Sequence, residues 1–194
     1  VIREKALGPA HPLVAQSLNS LGYLHHAQGA HERAVPLYER ALSIRERSLG
    51  PDHPVVAISL NNLGSLFYAQ GAYEKAESMY ERALAITEMT LGADHPDFAL
   101  YLANLASTHN HRGEYGRAQL LFKQALTITE KALGPNHPDI TIRLSQLAAS
   151  YDEQGNYGSA LGLHRRALDI EEANITRTLT IADEARRLAY ASKL

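Results

Sequence analysis

Between residues 56 and 67 the apolar side chains Val56, Leu60, Leu63 and Phe67 stand four, three and four apart. That spacing puts them on one face of an α-helix, because side chains three and four apart lie above one another at 3.6 residues per turn. A second apolar set, Tyr73, Ala76, Tyr80, Ala83, Leu84 and Ile86, predicts another helix that continues to Leu91. We call the first helix A and the second helix B. The break between them falls at Gly71, after the long side chain of Gln70, and the same punctuation recurs at Gly29, Gly113 and Gly155.

The pattern repeats with a fixed period. LGPDHP at 49–54 has near copies at 7–12, 91–96 and 133–138, so His11, His53, His95 and His137 are each 42 residues apart. Residues 7–48 and 49–90 share 26 identities in 42 positions. Such a period predicts stacked structural units rather than one mixed core, with repeats 7–48, 49–90, 91–132 and 133–174 and residues 1–6 as the end of a preceding one. The hexapeptide reads as the joint between units. Leu49 closes helix B, Gly50 takes the left-handed conformation, and Pro51 forbids continuation. Pro54 suits the first turn of the next helix A, with Asp52 or His53 capping its free amides. Pro36 falls early in the first helix B, where it bends the helix or marks a later start. Gly22, Gly64, Ala106 and Ala148 are expected to face the start of helix B at Ala34, Ala76, Ala118 and Ala160, letting the backbones approach closely. One such pair cannot bury its apolar face alone, so the pairs stack.

At Ile175 the period breaks. Ile181, Ala185, Leu188 and Ala189 keep a helical stripe and Asp183 is placed to cap a short last helix, so 175–194 reads as a C-terminal helical cap or linker. The opening VIREKALG matches the tail of a repeat and has no starting Met, as expected of a piece of a longer protein.

The string LNNLGSLFYAQGAYEKAESMYERAL (60–84) resembles the tetratricopeptide repeat, with Leu63, Gly64, Phe67, Gly71, Tyr73, Ala76, Tyr80 and Ala83 at the signature positions. The ordinary repeat is roughly 34 residues long. The 42-residue unit, with its longer helix B and its LGPDHP loop, is similar to the kinesin light chain type. The resemblance covers residues 7–174. It implies an all-α, right-handed superhelical solenoid of antiparallel helix pairs, four repeats plus a C-terminal capping helix, with helix A lining the inner face. Residues 173–194 are similar to the segments that join such repeats to the CHAT domain, a caspase-like peptidase module, but depart from them in having Ala182 and Asp183 where Gly-Ser is usual.

Composition narrows the chemistry. The absence of cysteine removes disulfides, cysteine-ligated zinc and any thiol nucleophile from this chain. No apolar run approaches the roughly 18 residues that span a bilayer and no secretory signal opens the chain, so no membrane partner is expected and a cytoplasmic location is. Lys plus Arg minus Asp plus Glu gives +1, −3, 0 and −3 for the four repeats in order. Nucleic-acid binding needs a clustered basic stripe and none is present, so no nucleic-acid partner is expected. The four joint histidines lie on successive repeats, separated by about 20 Å from the helix width, too far to share an ion. His109 and His111 face different directions on their helix, and adjacent His25 and His26 fare no better. No nucleophile elbow or glycine-rich phosphate loop is present. No metal, no cofactor and no catalysis are expected.

The functional candidate is the inner face. Spacings of three and four put Gln16, Asn19, Tyr23 and His26 on one stripe, followed by Asn61, Ser65 and Tyr68, then Ser107, Asn110 and His111, then Ser145, Ala149 and Asp152. An asparagine amide bonds both the N–H and the C=O of an extended peptide. Asn19 and Asn61 occupy the groove position that the resemblance implies for such a clamp, while Ala103 and Ser145 depart from it. The stripe reads either as a peptide clamp or as a solvated wall. The expected role is a non-catalytic scaffold for a protein or peptide partner. The alternative is the sensory or regulatory arm of a larger effector, a CHAT peptidase or nucleotide-switch protein, acting mainly by intramolecular docking or self-association.

Overall fold

A computed structural model describes the backbone of residues 2–191 and the side chains of 3–180. Its helices are α1 (Ile2–Leu7), α2 (Pro12–Ala27), α3 (His31–Leu49), α4 (Pro54–Ala69), α5 (Tyr73–Leu91), α6 (Pro96–His111), α7 (Tyr115–Leu133), α8 (Asp139–Glu153) and α9 (Tyr157–Ala191). The helices pair as predicted: α2 with α3, α4 with α5, α6 with α7, and α8 with α9.

The joint is built as its residues dictate, and histidine rather than aspartate is the cap. Nδ1 of His11, His53, His95 and His137 accepts the N–H two residues on at 3.1, 3.2, 3.1 and 3.2 Å. Each bond satisfies one of the amides that a helix start leaves free. Pro12, Pro54 and Pro96 open their helices; Pro138 stands one residue outside α8. Gly50 does have positive φ, at 92°, but its ψ of 154° carries the chain into an extended exit rather than into the left-handed helical conformation expected of it. Only glycine tolerates that region without strain. Pro36 neither delays nor ends α3, which starts at His31, in register with Tyr73 of α5.

The core repeats every 42 residues. Ala34, Ala76 and Ala118, then Ala41, Ala83 and Ala125, are fully buried where the paired helices cross. Ile44, Ile86, Ile128 and Ile170 close the far end. The glycines on helix A serve another residue than the one expected. A Cβ built on Gly22 or Gly64 meets the ring of Tyr38 or Tyr80, as close as 3.0 and 2.8 Å, so the missing side chain makes room for a flat tyrosine rather than for Ala34 or Ala76. In the third repeat the corresponding positions are Ala106 and Phe122, both buried in one cluster.

The A helices α2, α4, α6 and α8 approach one another in succession; among the described residues no such approach links α3, α5, α7 and α9. Helix A therefore forms the short row of the stack, on the concave side, and helix B the long one. The short last helix expected with Asp183 as its cap does not form: α9 runs unbroken from Tyr157 to Ala191, and Asp183 lies within it. Ile175 and Leu179 on this extension are exposed. The stripe of Ile181, Ala185, Leu188 and Ala189 lies outside the residues whose side chains are described.

Candidate functional site

The asparagines of the helix A row are bonded to one another across repeats. Asn62 Nδ2 donates to Asn19 Oδ1 at 3.0 Å, and Asn104 Nδ2 donates to Asn61 Oδ1 at 2.7 Å. Both pairs are 43 residues apart, one more than the period, because the next helix reaches back along the row. The acceptor end of each candidate clamp is thus already engaged, and what Asn19 and Asn61 retain is the amide N–H2. The ladder stops at the third repeat: Ala103 has no oxygen to accept, and Gln146, in register with Asn104, instead accepts from Arg143 at 3.0 Å.

The other stripe residues divide between structural work and open surface. Gln16 is exposed beside Ser20 and Leu24. Tyr23 is 63% exposed, and His26 is half-buried with its ring edge-on to His31 at 5.5 Å. Burial, and then proximity to the His31 ring, holds the His26 imidazole below its ordinary value. Ser65 serves the core, accepting the Tyr80 hydroxyl at 3.2 Å. Ser107 donates back to the Ala103 carbonyl at 3.0 Å. Of the fourth-repeat residues, Ser145 and Ala149 are exposed and Asp152 faces His164 at 3.1 Å.

Tyr68, Ser107, Asn110 and His111 do come together. With Phe122, Gln146, Ala149 and Glu153 they line a hollow of about 160 Å³ where α4, α6 and α8 meet. His111 stacks on Tyr73 at 5.8 Å with planes 6° apart, and Tyr68 stands edge-on to both rings. Burial raises the Tyr68 hydroxyl above its ordinary range, helped by Tyr73 and by the charge of Glu153. Asn110 is 8% exposed; its Nδ2 donates to Glu153 Oε2 at 2.7 Å and its Oδ1 is buried without a hydrogen-bond partner.

His109 is a buried structural residue. Its Nδ1 meets Glu114 Oε2 at 2.8 Å, and Arg112 ties Glu77 to Glu114. Burial alone would raise the Glu114 carboxyl, but the hydrogen bond to His109 and the charges of Arg112, His109 and Arg117 bring it below its ordinary value. Among the described residues no group of three histidines or carboxylates is arranged to hold a metal ion, and no helix is long and apolar enough to cross a membrane. Along helix B, Glu4 pairs with Arg40, Glu46 with Arg82 and Glu130 with Arg166. The step between Glu88 and Gln124 has no cation to complete the series.

Asn62, Asn104, Tyr73, Gln146 and Glu153 are the residues of this face that the stripe omits. The 43-residue offset was the available signal, since it pairs Asn19 with Asn62, Asn61 with Asn104 and Asn110 with Glu153.

The tetratricopeptide repeat model matches residues 1–47, 25–89, 69–131 and 97–173. No curated protein matches the chain's sequence. Among solved structures, BtubC (BKLC) from P. vanneervenii is similar at 26% identity and a TM-score of 0.76, over 84% of this chain and 65% of that one. The chain thus spans about two thirds of that relative's length. A variant form of a Podosopora anserina protein with nearly identical kinesin light chain TPR-like repeats is similar at 28% identity and a TM-score of 0.77, over 91% of this chain and 82% of that one.

Proposed function

From the premise that this chain belongs to the tetratricopeptide repeat family, in its kinesin light chain-like form, we propose that it is a non-catalytic scaffold holding an extended segment of a partner protein along the helix A row. Family and fold are those of protein-interaction scaffolds. The observation that supports this face is the state of Asn19 and Asn61. Their Oδ1 atoms are consumed by the next repeat, while their N–H2 groups have no partner among the described residues. Two donors held in register on successive helices suit the carbonyls of an extended backbone, in the manner of strand-like peptide recognition. The inter-repeat bonds hold the amides in one orientation, which lowers the entropy lost on binding.

The test starts from peptides selected out of a randomised library on the immobilised protein. A selected peptide is titrated against Asn19→Ala with Asn61→Ala, and against His53→Ala with His95→Ala as the loop control. At about 1 kcal/mol for each lost bond, the asparagine pair should weaken binding roughly thirtyfold. Because the same side chains carry inter-repeat bonds, the melting curve of each variant is recorded alongside. Full affinity in the folded asparagine variant, with loss in the loop control, would place the binding face elsewhere.

A further inference from the structure

The hollow where α4, α6 and α8 meet has a chemistry of its own. Its floor holds Phe122, 3% exposed, and its wall holds the ring of Tyr68. Asn110 carries a buried carbonyl oxygen with no donor, an uncommon state because an unmet buried acceptor costs about 1–3 kcal/mol. Amide orientation does not explain it away. Turning the group over would set that oxygen against the Glu153 carboxylate, which now accepts the amide N–H at 2.7 Å. Glu153 itself has only this neutral partner among the described residues. The nearby carboxylate of Asp152 is occupied by His164. The repeat that supplies Glu153 carries a net charge of −3.

We propose that this hollow receives a lysine side chain of the bound segment, a reading that rests on the scaffold function above. An ammonium group brings donors and no acceptor, which is what an orphan carbonyl and an unneutralised carboxylate jointly lack. An aromatic wall adds to the attraction for a cation and covers its methylene stem. Lysine fits better than arginine. One Glu153 oxygen already accepts from Asn110, so the two-pronged pairing that favours guanidinium would have to share it, whereas a compact point charge needs only the second Glu153 oxygen and lies within the field of the buried Asn110 carbonyl. One water needs about 10–15 Å³ of such space, so a hollow of about 160 Å³ has ample room for a lysine side chain.

The probe is the same randomised peptide library, selected on the wild-type protein and on Glu153→Gln. Glutamine keeps an acceptor for Asn110, so the fold should hold, and equal melting curves verify it. Lysine should be enriched at one fixed position of the wild-type peptides and not of those from Glu153→Gln. A selected peptide should bind at least tenfold more weakly when that lysine becomes norleucine, and Glu153→Gln should cost nothing further against the norleucine peptide. Peptides that bind through Asn19 and Asn61 but show no lysine preference, or one that Glu153→Gln leaves intact, would overturn the lysine site and leave the scaffold reading standing. A library with no binders, or with binders indifferent to Asn19 and Asn61, would overturn both.

Discussion

Replacing Gly64 by alanine should destabilise this protein, although alanine is the better helix former. The substitution gains about 1 kcal/mol of intrinsic helix propensity. Against that, the new Cβ lands 2.8, 3.0 and 3.1 Å from three ring atoms of Tyr80, inside ordinary contact distance. The ring is 2% exposed, sealed by Leu63, Leu66 and Phe67, and its hydroxyl is bonded to Ser65, so it has little freedom to retreat. Overpacking of this kind costs about 1–3 kcal/mol. The balance is a loss of about 1 kcal/mol, or a fall of about 2–4 °C in melting temperature for a chain of this size. Gly162 supplies the control. It lies within α9 with nothing inside 4 Å of its would-be Cβ, so Gly162→Ala keeps the propensity gain and should raise the midpoint. Circular dichroism melts and urea midpoints of the two variants, compared as midpoints because stacked repeats need not unfold in one step, decide the matter. A rise in Gly64→Ala equal to that in Gly162→Ala would refute the packing argument. A smaller loss in the Tyr80→Phe background would locate the strain at the ring, as Ala106 against Phe122 suggests.

Asn62→Ala, which removes the donor of the Asn19–Asn62 bond, should lower the stability read from urea melts by about 1 kcal/mol, and a double-mutant cycle with Asn19→Ala should show that the two losses overlap. His53→Ala deletes a helix cap and should cost about 1 kcal/mol, while His53→Asn, which supplies another capping oxygen, should recover most of it in the same melts. The Tyr80 hydroxyl is pushed up to about 12 by burial. Its folded value exceeds the unfolded one, so its contribution is complete below about pH 10 and lost as pH rises to about 12, a change of about 3 kcal/mol that adds to that of the likewise raised Tyr101 in alkaline urea melts and that Tyr80→Phe should subtract.

The helix pairs were legible in the sequence because burial imposes its own spacing: Val56, Leu60, Leu63 and Phe67 had to share a face to be covered, and all four are. The joint was legible because proline, glycine and a capping side chain act locally. The binding face was read less well for a geometric reason. Successive residues on a helix point about 100° apart, so choosing the stripe through Asn61 excluded Asn62, yet both touch the neighbouring repeats. Whether an amide is free or bonded depends on the offset between helices, which no single-helix pattern contains. Glu153 shows the same thing, since its role follows from Asn110, one helix A earlier. The continuation of α9 past Ile175 had no local stop signal to contradict it: 175–191 contains neither proline nor glycine.

The two edges of the stack are fastened differently. On the short edge the fastenings of the first three repeats are neutral amide pairs; on the long edge they are the partly exposed ion pairs Glu4–Arg40, Glu46–Arg82 and Glu130–Arg166. Added salt weakens the second kind and leaves the first nearly untouched. The outer edge should therefore loosen with ionic strength while the inner one holds its pitch. Curvature, read as the radius of gyration in solution, should then change with salt while the spacing of Asn19 and Asn61 stays constant.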